Sequence, residues 1–279
     1  MIKTIDVKST ETAEVYRYLS NAVTPRPIAF VSTIDKHGNK NLSPFSFFNV
    51  FSVNPPILVF SPVRRVRNNT SKDTLDNIKE VNECVISLVT EEIAQQVSLS
   101  SCDFDANINE FKKAGFTEVK SDVITPSRVK ESPVNFECKV NDVIALGEKG
   151  GAGSLVLCEV LKIHVDEDVI DNNNELDPIK LKLVSRYGKN WYGKTTTESL
   201  YEIVKPISRV GVGIDQLPEN IRKSNILTGH ELAILASIEK IPEKKDFLLR
   251  DNKNISEKHI LAKAFLQEEK FEEAWQILL

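Results

Sequence analysis

The stretch Thr24-Pro-Arg-Pro-Ile-Ala-Phe-Val-Ser-Thr33 decides how the chain is read, together with Asn41-Leu-Ser-Pro-Phe-Ser-Phe-Phe-Asn49, Asn54-Pro-Pro56 and Ser71-Lys-Asp-Thr-Leu75. Ile28 to Ile34 is apolar and β-branched, so it reads as a strand. Asp35-Lys-His-Gly38 is a turn, with Gly where positive φ is tolerated. Lys40-Asn41-Leu42 runs back, which makes a hairpin. Asn54-Pro55-Pro56 blocks ladder bonding and turns the chain ahead of a buried strand, Ile57 to Ser61. Thr70 or Ser71 opens a helix to about Val81, with Leu75, Ile78 and Val81 on one face. No His, Glu or Cys dyad occurs here, and His37 sits in the turn. The stretch offers apolar surface, hydroxyls, backbone amides and a Lys at a helix start. That suits holding a flat, phosphorylated cofactor better than acid–base chemistry by side chains.

Outward from there, residues 9–20 read as a short helix. Cys84 to Val89 is a strand, and Thr90 caps a helix to about Ser98. Asn107 to Ala114 is a short helix closed by Gly115, a C′ signal. Val134 to Val140 and Ser154 to Val165 are strands. Asp166 to Asp177 is an exposed turn, and Leu181 to Val184 is a last strand before Arg186-Tyr-Gly-Lys-Asn-Trp-Tyr-Gly193. After about residue 195 the periodicity becomes helical. His230 to Ile238 is one helix, and Ser256 to Leu279 is an amphipathic pair or one bent helix. The chain divides into a β-rich domain, 1–200, and a helical C-terminal extension, 201–279. Strands follow one another through turns or short helices, without strict βαβ alternation. The expected class is mainly β, an antiparallel barrel or sandwich with short helices.

The 279 residues carry a net charge of −4, from 36 basic and 40 acidic side chains well mixed along the chain. A nucleic-acid partner would leave a basic stripe, so none is expected. No apolar run approaches the roughly 18 residues of a membrane span, and the N-terminus lacks a signal-peptide core. The expected location is the cytoplasm. Cys84, Cys102, Cys138 and Cys158 lack paired spacing, so buried reduced thiols are expected and no metal site. Gly147-Glu-Lys-Gly-Gly-Ala-Gly153 and Gly211-Val-Gly-Ile-Asp-Gln216 lack the strand and crossover helix of a dinucleotide fingerprint. They read as a hairpin loop and a turn. His164 ends a strand, where it either faces a cofactor or is satisfied structurally.

Three groups are candidates for binding. At Ser71-Lys72-Asp73-Thr74, helix-start amides, a mobile ammonium and a hydroxyl can hold a monophosphate. The alternative is a plain cap with a solvated Lys72. Asp73 would repel a phosphate and fits a capping or orienting role. At Ser43-Pro44-Phe45-Ser46-Phe47-Phe48-Asn49, rings turn one way and polar groups the other. An isoalloxazine needs such donors and walls, although three Phe also suit a core. Arg26, aimed by Pro25 and Pro27, can contact an anion or form a salt bridge at a strand start.

From about Asn21 to Tyr192 the chain resembles the flavin reductase-like, or flavoredoxin-like, proteins with an FMN-binding split barrel. The residues that carry this are TPRPIAFVST at 24–33, NLSPFSFFN at 41–49, NPP at 54–56, FS at 60–61, KDTLDNI at 72–78, EFKKAGF at 110–116, FEC at 136–138, EV at 159–160 before His164, and RYG at 186–188. The resemblance implies a Greek-key split β-barrel that dimerises, with FMN near the subunit interface. It implies that Ser43, Pro44, Phe45, Ser46 and Asn49 contact the flavin. Ser61, Lys72, Asp73 and Thr74 would hold the phosphate and ribityl end, and Arg26 and Tyr187 would lie near the ring. Pro62-Val-Arg-Arg-Val-Arg-Asn-Asn69 departs from the pattern in being unusually basic. It either binds another anion, such as the phosphates of a nicotinamide cofactor, or is a solvated loop.

The implied function is an FMN-dependent oxidoreductase. NAD(P)H would reduce the flavin, and electrons would pass to a flavin, protein or metal acceptor. The alternative is a non-enzymatic flavoredoxin-type carrier that holds FMN and takes electrons from a partner protein. Neither requires a catalytic side chain, and none is assigned.

Overall fold

The computed structural model describes residues 1–105, 108–203, 210–245 and 253–279. They form two compact units, Met1–Leu200 and Tyr201–Leu279. In the first, the helices are α1 (Thr12–Ala22), α2 (Asp73–Glu80), α3 (Ala94–Leu99), α4 (Glu110–Ala114) and α5 (Pro178–Leu181). The strands are β1 (Ala29–Ile34), β2 (Lys40–Phe45), β3 (Phe48–Val53), β4 (Pro56–Phe60), β5 (Glu83–Leu88), β6 (Glu118–Val119), β7 (Arg128–Val129), β8 (Val134–Ala145), β9 (Ser154–Val165), β10 (Val184–Arg186) and β11 (Tyr192–Lys194).

Seven strands make one antiparallel sheet in the order β2-β1-β5-β8-β9-β4-β3. After the β3–β4 hairpin the chain crosses to lay β5 beside β1. The β8–β9 hairpin then fills the space between β5 and β4. This is the Greek-key split β-barrel. Its coiling is visible in one contact: Cys84 Sγ on β5 is 3.7 Å from Cys158 Sγ on β9. Strand β8 lies between those two strands, and a flat sheet would hold them about 10 Å apart. The inner face closes over an apolar core that includes Val31, Phe45, Phe60, Ile78, Cys84 and Val156. On the other face Phe30 packs against Phe116 with ring centroids 5.0 Å apart. Phe116 follows α4, whose chain reverses at Gly115 with φ 74°.

The structure corrects several boundaries. The first helix begins at Thr12, later than expected, because Glu11 is still extended. Helix α2 begins at Asp73, with Lys72 at the N-cap; the Ser71 hydroxyl bonds the Asp76 carboxylate instead of capping. Thr90 pairs with Leu183 in an isolated bridge, so α3 starts only at Ala94. Asn109 caps α4, and Asn107 lies outside the described residues. Leu181 ends a helical turn capped by Asp177, Lys182 is left-handed, and the strand is Val184–Arg186. The largest omission is β3. Ser43 to Asn49 is no single strand end but two strands joined by a corner at Ser46-Phe47.

Among the described residues of the second unit, α6 (Glu219–Arg222), α7 (Gly229–Ala236), α8 (Ile255–Gln267) and α9 (Phe271–Leu278) surround their own core, centred on Leu235, Leu266 and Trp275. The amphipathic tail is a pair of helices, broken where Glu269 takes φ 59°. Among the described residues no helix is long and apolar enough to cross a membrane.

Candidate functional site

Three contacts fix the candidate residues against their neighbours. The Ser61 amide donates to the Phe47 carbonyl at 2.8 Å. The Phe45 and Phe60 rings lie 5.2 Å apart. The Thr74 hydroxyl donates to Asn41 Oδ1 at 2.5 Å. The corner at Ser46-Phe47 and the end of β4 are therefore neighbours, and Arg65, just past β4, reaches the Ser71 carbonyl ahead of α2; the Thr74–Asn41 bond ties α2 to the other end of β2 from Phe45.

At the start of α2, the Lys72 side chain is half-buried. Its ammonium has no hydrogen-bond or ion-pair partner among the described residues. Burial, and then the Arg65 charge, push Lys72 below the ordinary lysine range. A half-buried cation with no direct ion-pair partner is an electrostatic cost that an anion relieves, although the more distant Asp103 and Asp73 charges offset part of it. The Asp73 and Thr74 amides also bond nothing among the described residues, because both precede the first intrahelical bonds, Leu75 and Asp76 to the Lys72 carbonyl. An ammonium and free amides at a helix start are groups that can hold a monophosphate. Lys72 is thus not the solvated residue of a plain cap.

The Thr74 hydroxyl is not among those groups. Thr74 is buried and fully engaged with Asn41, whose Nδ2 donates to Glu110 Oε1 at 3.0 Å. The Leu42 amide donates to the other Glu110 oxygen at 3.0 Å. Burial nevertheless raises the Glu110 carboxyl above its ordinary range. The chain locks α2 to β2 and α4 through these groups, so Thr74 can offer a phosphate its amide alone.

Of the residues expected at a flavin ring, Ser43 is buried, and its hydroxyl has no partner among the described residues. The Ser61 hydroxyl is likewise free, as are the Ser46 and Phe47 amides at the corner. Phe45 is buried and Pro44 half-buried. Asn49 is placed differently: it is exposed on β3, and its Oδ1 accepts from the Val50 amide.

Arg26 is buried, but it forms no salt bridge among the described residues. Its Nη1 donates to the carbonyls of Ser20 (2.5 Å) and Val23 (2.7 Å), and Nη2 to that of Tyr187 (3.1 Å). Arg26 therefore caps the C-terminus of α1 and ties it to the β10–β11 hairpin. Only its Nε faces the corner, 3.5 Å from Ser46 Oγ, and its guanidinium lies 5.9 Å from the Phe47 ring centre. Tyr187 is in that hairpin and, with Trp191, Tyr192 and Asn21, lines a shallow cavity of about 360 Å³.

Sequence reasoning gave no role to two of three contributors, Asn41 and Gly153, and flagged the third, Arg65, only as part of the basic segment 62–69. Asn41 holds Thr74. Arg65 donates to the Ser71 carbonyl at 2.6 Å and shapes the entry to α2. Gly153, in the glycine-rich hairpin loop, leaves room for the Ser61 hydroxyl. Gly153 had a signal, glycines clustered between two strands, but its partner Ser61 is 92 residues away in the chain.

His164 faces Glu137, not a cofactor, with Nε2 2.7 Å from Oε1. Glu137 also accepts from the Asp122 and Val123 amides at 2.8 Å each. Asp122, Glu137 and His164 are close enough to suggest a metal site. Lys162 and Arg128 flank them, however, and Glu137 is already saturated with donors. The arrangement is an ion-pair network.

The flavin reductase like domain matches residues 21–180. An uncharacterized protein of Aquifex aeolicus is 35% identical over 192 residues, spanning 69% of this chain and 95% of its own. Nitrilotriacetate monooxygenase component B from Bacillus cereus superposes with a TM-score of 0.68 at 28% identity, covering 73% of this chain and 99% of its own. The 2-nitrobenzoate 2-nitroreductase of Pseudomonas fluorescens superposes with a TM-score of 0.66 at 27% identity, covering 76% of this chain and all of its own. The unit Tyr201–Leu279 lies outside the matched domain. By its barrel and these matches, the chain belongs to the flavin reductase-like family.

Proposed function

We propose that the protein is an FMN-dependent oxidoreductase that takes electrons from NAD(P)H and passes them to a flavin, protein or metal acceptor. The observation that carries this is the half-buried, unpartnered Lys72 beside the open amides of Asp73 and Thr74. These groups fit a phosphate monoester. The free Ser43 and Ser61 hydroxyls and the Ser46 and Phe47 amides fit the ribityl chain and the polar edge of a flavin. FMN, when bound, supplies the hydride and electron chemistry. The protein's part is to bind, orient and shield. Lys72 neutralises the phosphate, Ser43 and the corner amides fix the ring edge, and Phe45 and Phe60 back the site with dry, rigid surface.

The active form in this proposal is a homodimer with the site near its interface. Edge strand β3 supports it: Val50, Phe51 and Val53 are 57%, 70% and 86% exposed. Apolar side chains at an unpaired sheet edge favour a covering partner, and sedimentation of the purified protein checks this.

Anaerobic titration of the protein with FMN, then with NADH and NADPH, tests the reading. Tight FMN binding followed by bleaching of the flavin bands is expected. Failure to bind FMN overturns it. FMN binding without reduction by either nicotinamide replaces it with the electron-carrier role.

A further inference from the structure

A second group of cations stands beside the monophosphate cradle, on the basic segment 62–69. Arg65 Nη2 lies 3.2 Å from Asp103 Oδ1, and Arg67 Nη2 bonds Asp103 Oδ2. Two guanidinium groups thus hold the two oxygens of one carboxylate, as they would hold two oxygens of a phosphate. Arg65 is fixed from behind by the Thr70 hydroxyl (3.0 Å) and the Ser71 carbonyl (2.6 Å). Arg67 projects outward and is 68% exposed. The two arginines hold the Asp103 carboxyl below its ordinary range.

The segment that carries them is braced. Arg64 Nε donates to Asn69 Oδ1 at 2.7 Å, and its Nη2 to the Asn69 carbonyl at 2.6 Å. The Gly151 amide donates to the Arg64 carbonyl at 3.0 Å, and the Arg64 amide to the Ala152 carbonyl at 2.9 Å. A Cβ on Gly150 would stand 3.0 Å from the Val66 backbone, so the glycine-rich loop is what lets the two segments meet. A solvated loop would need none of this.

We infer that Arg65 and Arg67 form a second phosphate subsite, held in the free protein by Asp103 as an internal counter-ion, and that its ligand is a phosphate of the reducing dinucleotide. The inference rests on the NAD(P)H-dependent reading above. Lys72 and two amides already complete a site for one monophosphate, so these arginines are surplus to it. Lys72 also feels the charges of Arg65 and Arg67, so the groups share one electrostatic neighbourhood. An incoming phosphate must displace Asp103, and exchanging one anion for another keeps the net gain small. Weak, reversible binding of that kind suits a ligand that leaves at every turnover.

Calorimetric titration with 5′-ADP and with adenosine 2′,5′-bisphosphate, on the protein with and without FMN, tests this at low ionic strength. Arg67→Gln is expected to weaken the bound probe about tenfold, the loss of one charge-assisted bond. Asp103→Asn is expected to tighten it several-fold, about fivefold or more by the same measure. FMN affinity should stay within about twofold in both variants. Preference for the bisphosphate assigns the subsite to a 2′-phosphate, and equal binding to the diphosphate. Probe affinity unchanged in both variants overturns the inference, as does an equal loss of FMN affinity in Arg67→Gln. Failure of the wild type to bind FMN at all would instead strike the parent reading, and the probe titration without FMN separates the two.

Discussion

A Cβ built on Gly153 would stand 2.5 Å from the Ser61 hydroxyl oxygen. Gly153 precedes β9 and bridges to Val63; Ser61 follows β4. The two meet because β4 and β9 are neighbours in the sheet. The glycine is therefore a seat for a hydroxyl at the proposed flavin site. Gly153→Ala should cost about 1–3 kcal/mol through overpacking. It should also displace Ser61 and weaken FMN binding. The same Cβ would be 3.9 Å from Ser61 Cβ, an ordinary contact. Adding Ser61→Ala should therefore restore stability without restoring affinity. Additive costs in the double variant, measured by urea unfolding, would sink this account.

Lys72→Gln keeps most of the side-chain volume and removes the charge. The expected loss of FMN affinity is about 1.5–3 kcal/mol, the worth of a charge-assisted phosphate contact. Riboflavin, which lacks the phosphate, should bind both forms alike. Flavin fluorescence titration gives both numbers. Equal losses for FMN and riboflavin would move Lys72 away from the phosphate.

Arg26→Lys should act mainly on stability. Lysine offers one point charge where the guanidinium fork reaches three backbone carbonyls. Carbonyls at the end of α1 and in the β10–β11 hairpin would lose their donor inside the protein. A cost of about 1–3 kcal/mol follows, read from the urea midpoint. An unchanged midpoint with lost flavin binding would return Arg26 to the ligand.

Glu231 sets an acid limit on the second unit. Its carboxylate accepts from the Thr228 amide (2.7 Å) and hydroxyl (2.5 Å), and Lys263 lies 3.3 Å away. Burial opposes ionisation, but these donors bring its pKa down to about 2. A depressed folded pKa contributes stability above the unfolded value, near 4.5, and loses it as pH falls toward 2. The full contribution is on the order of 3 kcal/mol. Trp275 is buried in this unit, so Trp191→Phe leaves it as the sole tryptophan reporter of the full chain. Unfolding followed that way should weaken between pH 4.5 and 2, and Glu231→Gln should flatten the dependence.

Much of the barrel could be read from local pattern. Ile28 to Ile34, Ser154 to Val165 and the turn at Gly38 announce themselves because alternation, β-branching and turn residues act over a few positions. Strand β3 did not, because Asn49, Val50, Phe51 and Val53 are all exposed at a sheet edge and a bulge at Phe51 breaks the alternation. An edge strand with apolar residues outside breaks the inside–outside code that strand reading relies on. Lys182 hid the end of α5 for a similar reason: nothing in a lysine signals the left-handed φ of 46°.

The sequence by itself determined the family, the strand-rich first unit and the residue types that could hold a flavin phosphate. The family follows from the resemblance its motifs carry, and the rest from short-range spacing. Only the tertiary structure decided which of them remain available. Thr74 and Arg26 looked like ligand groups, yet Asn41, the nearby carbonyls of Ser20 and Val23 and the distant one of Tyr187 take up their donors. Lys72 read as a phosphate-holding ammonium or else a solvated cap; folding half-buries it with no partner among the described residues. A side chain's chemistry is written in the sequence. Whether its hydrogen bonds are already spent depends on which segments the sheet brings alongside it.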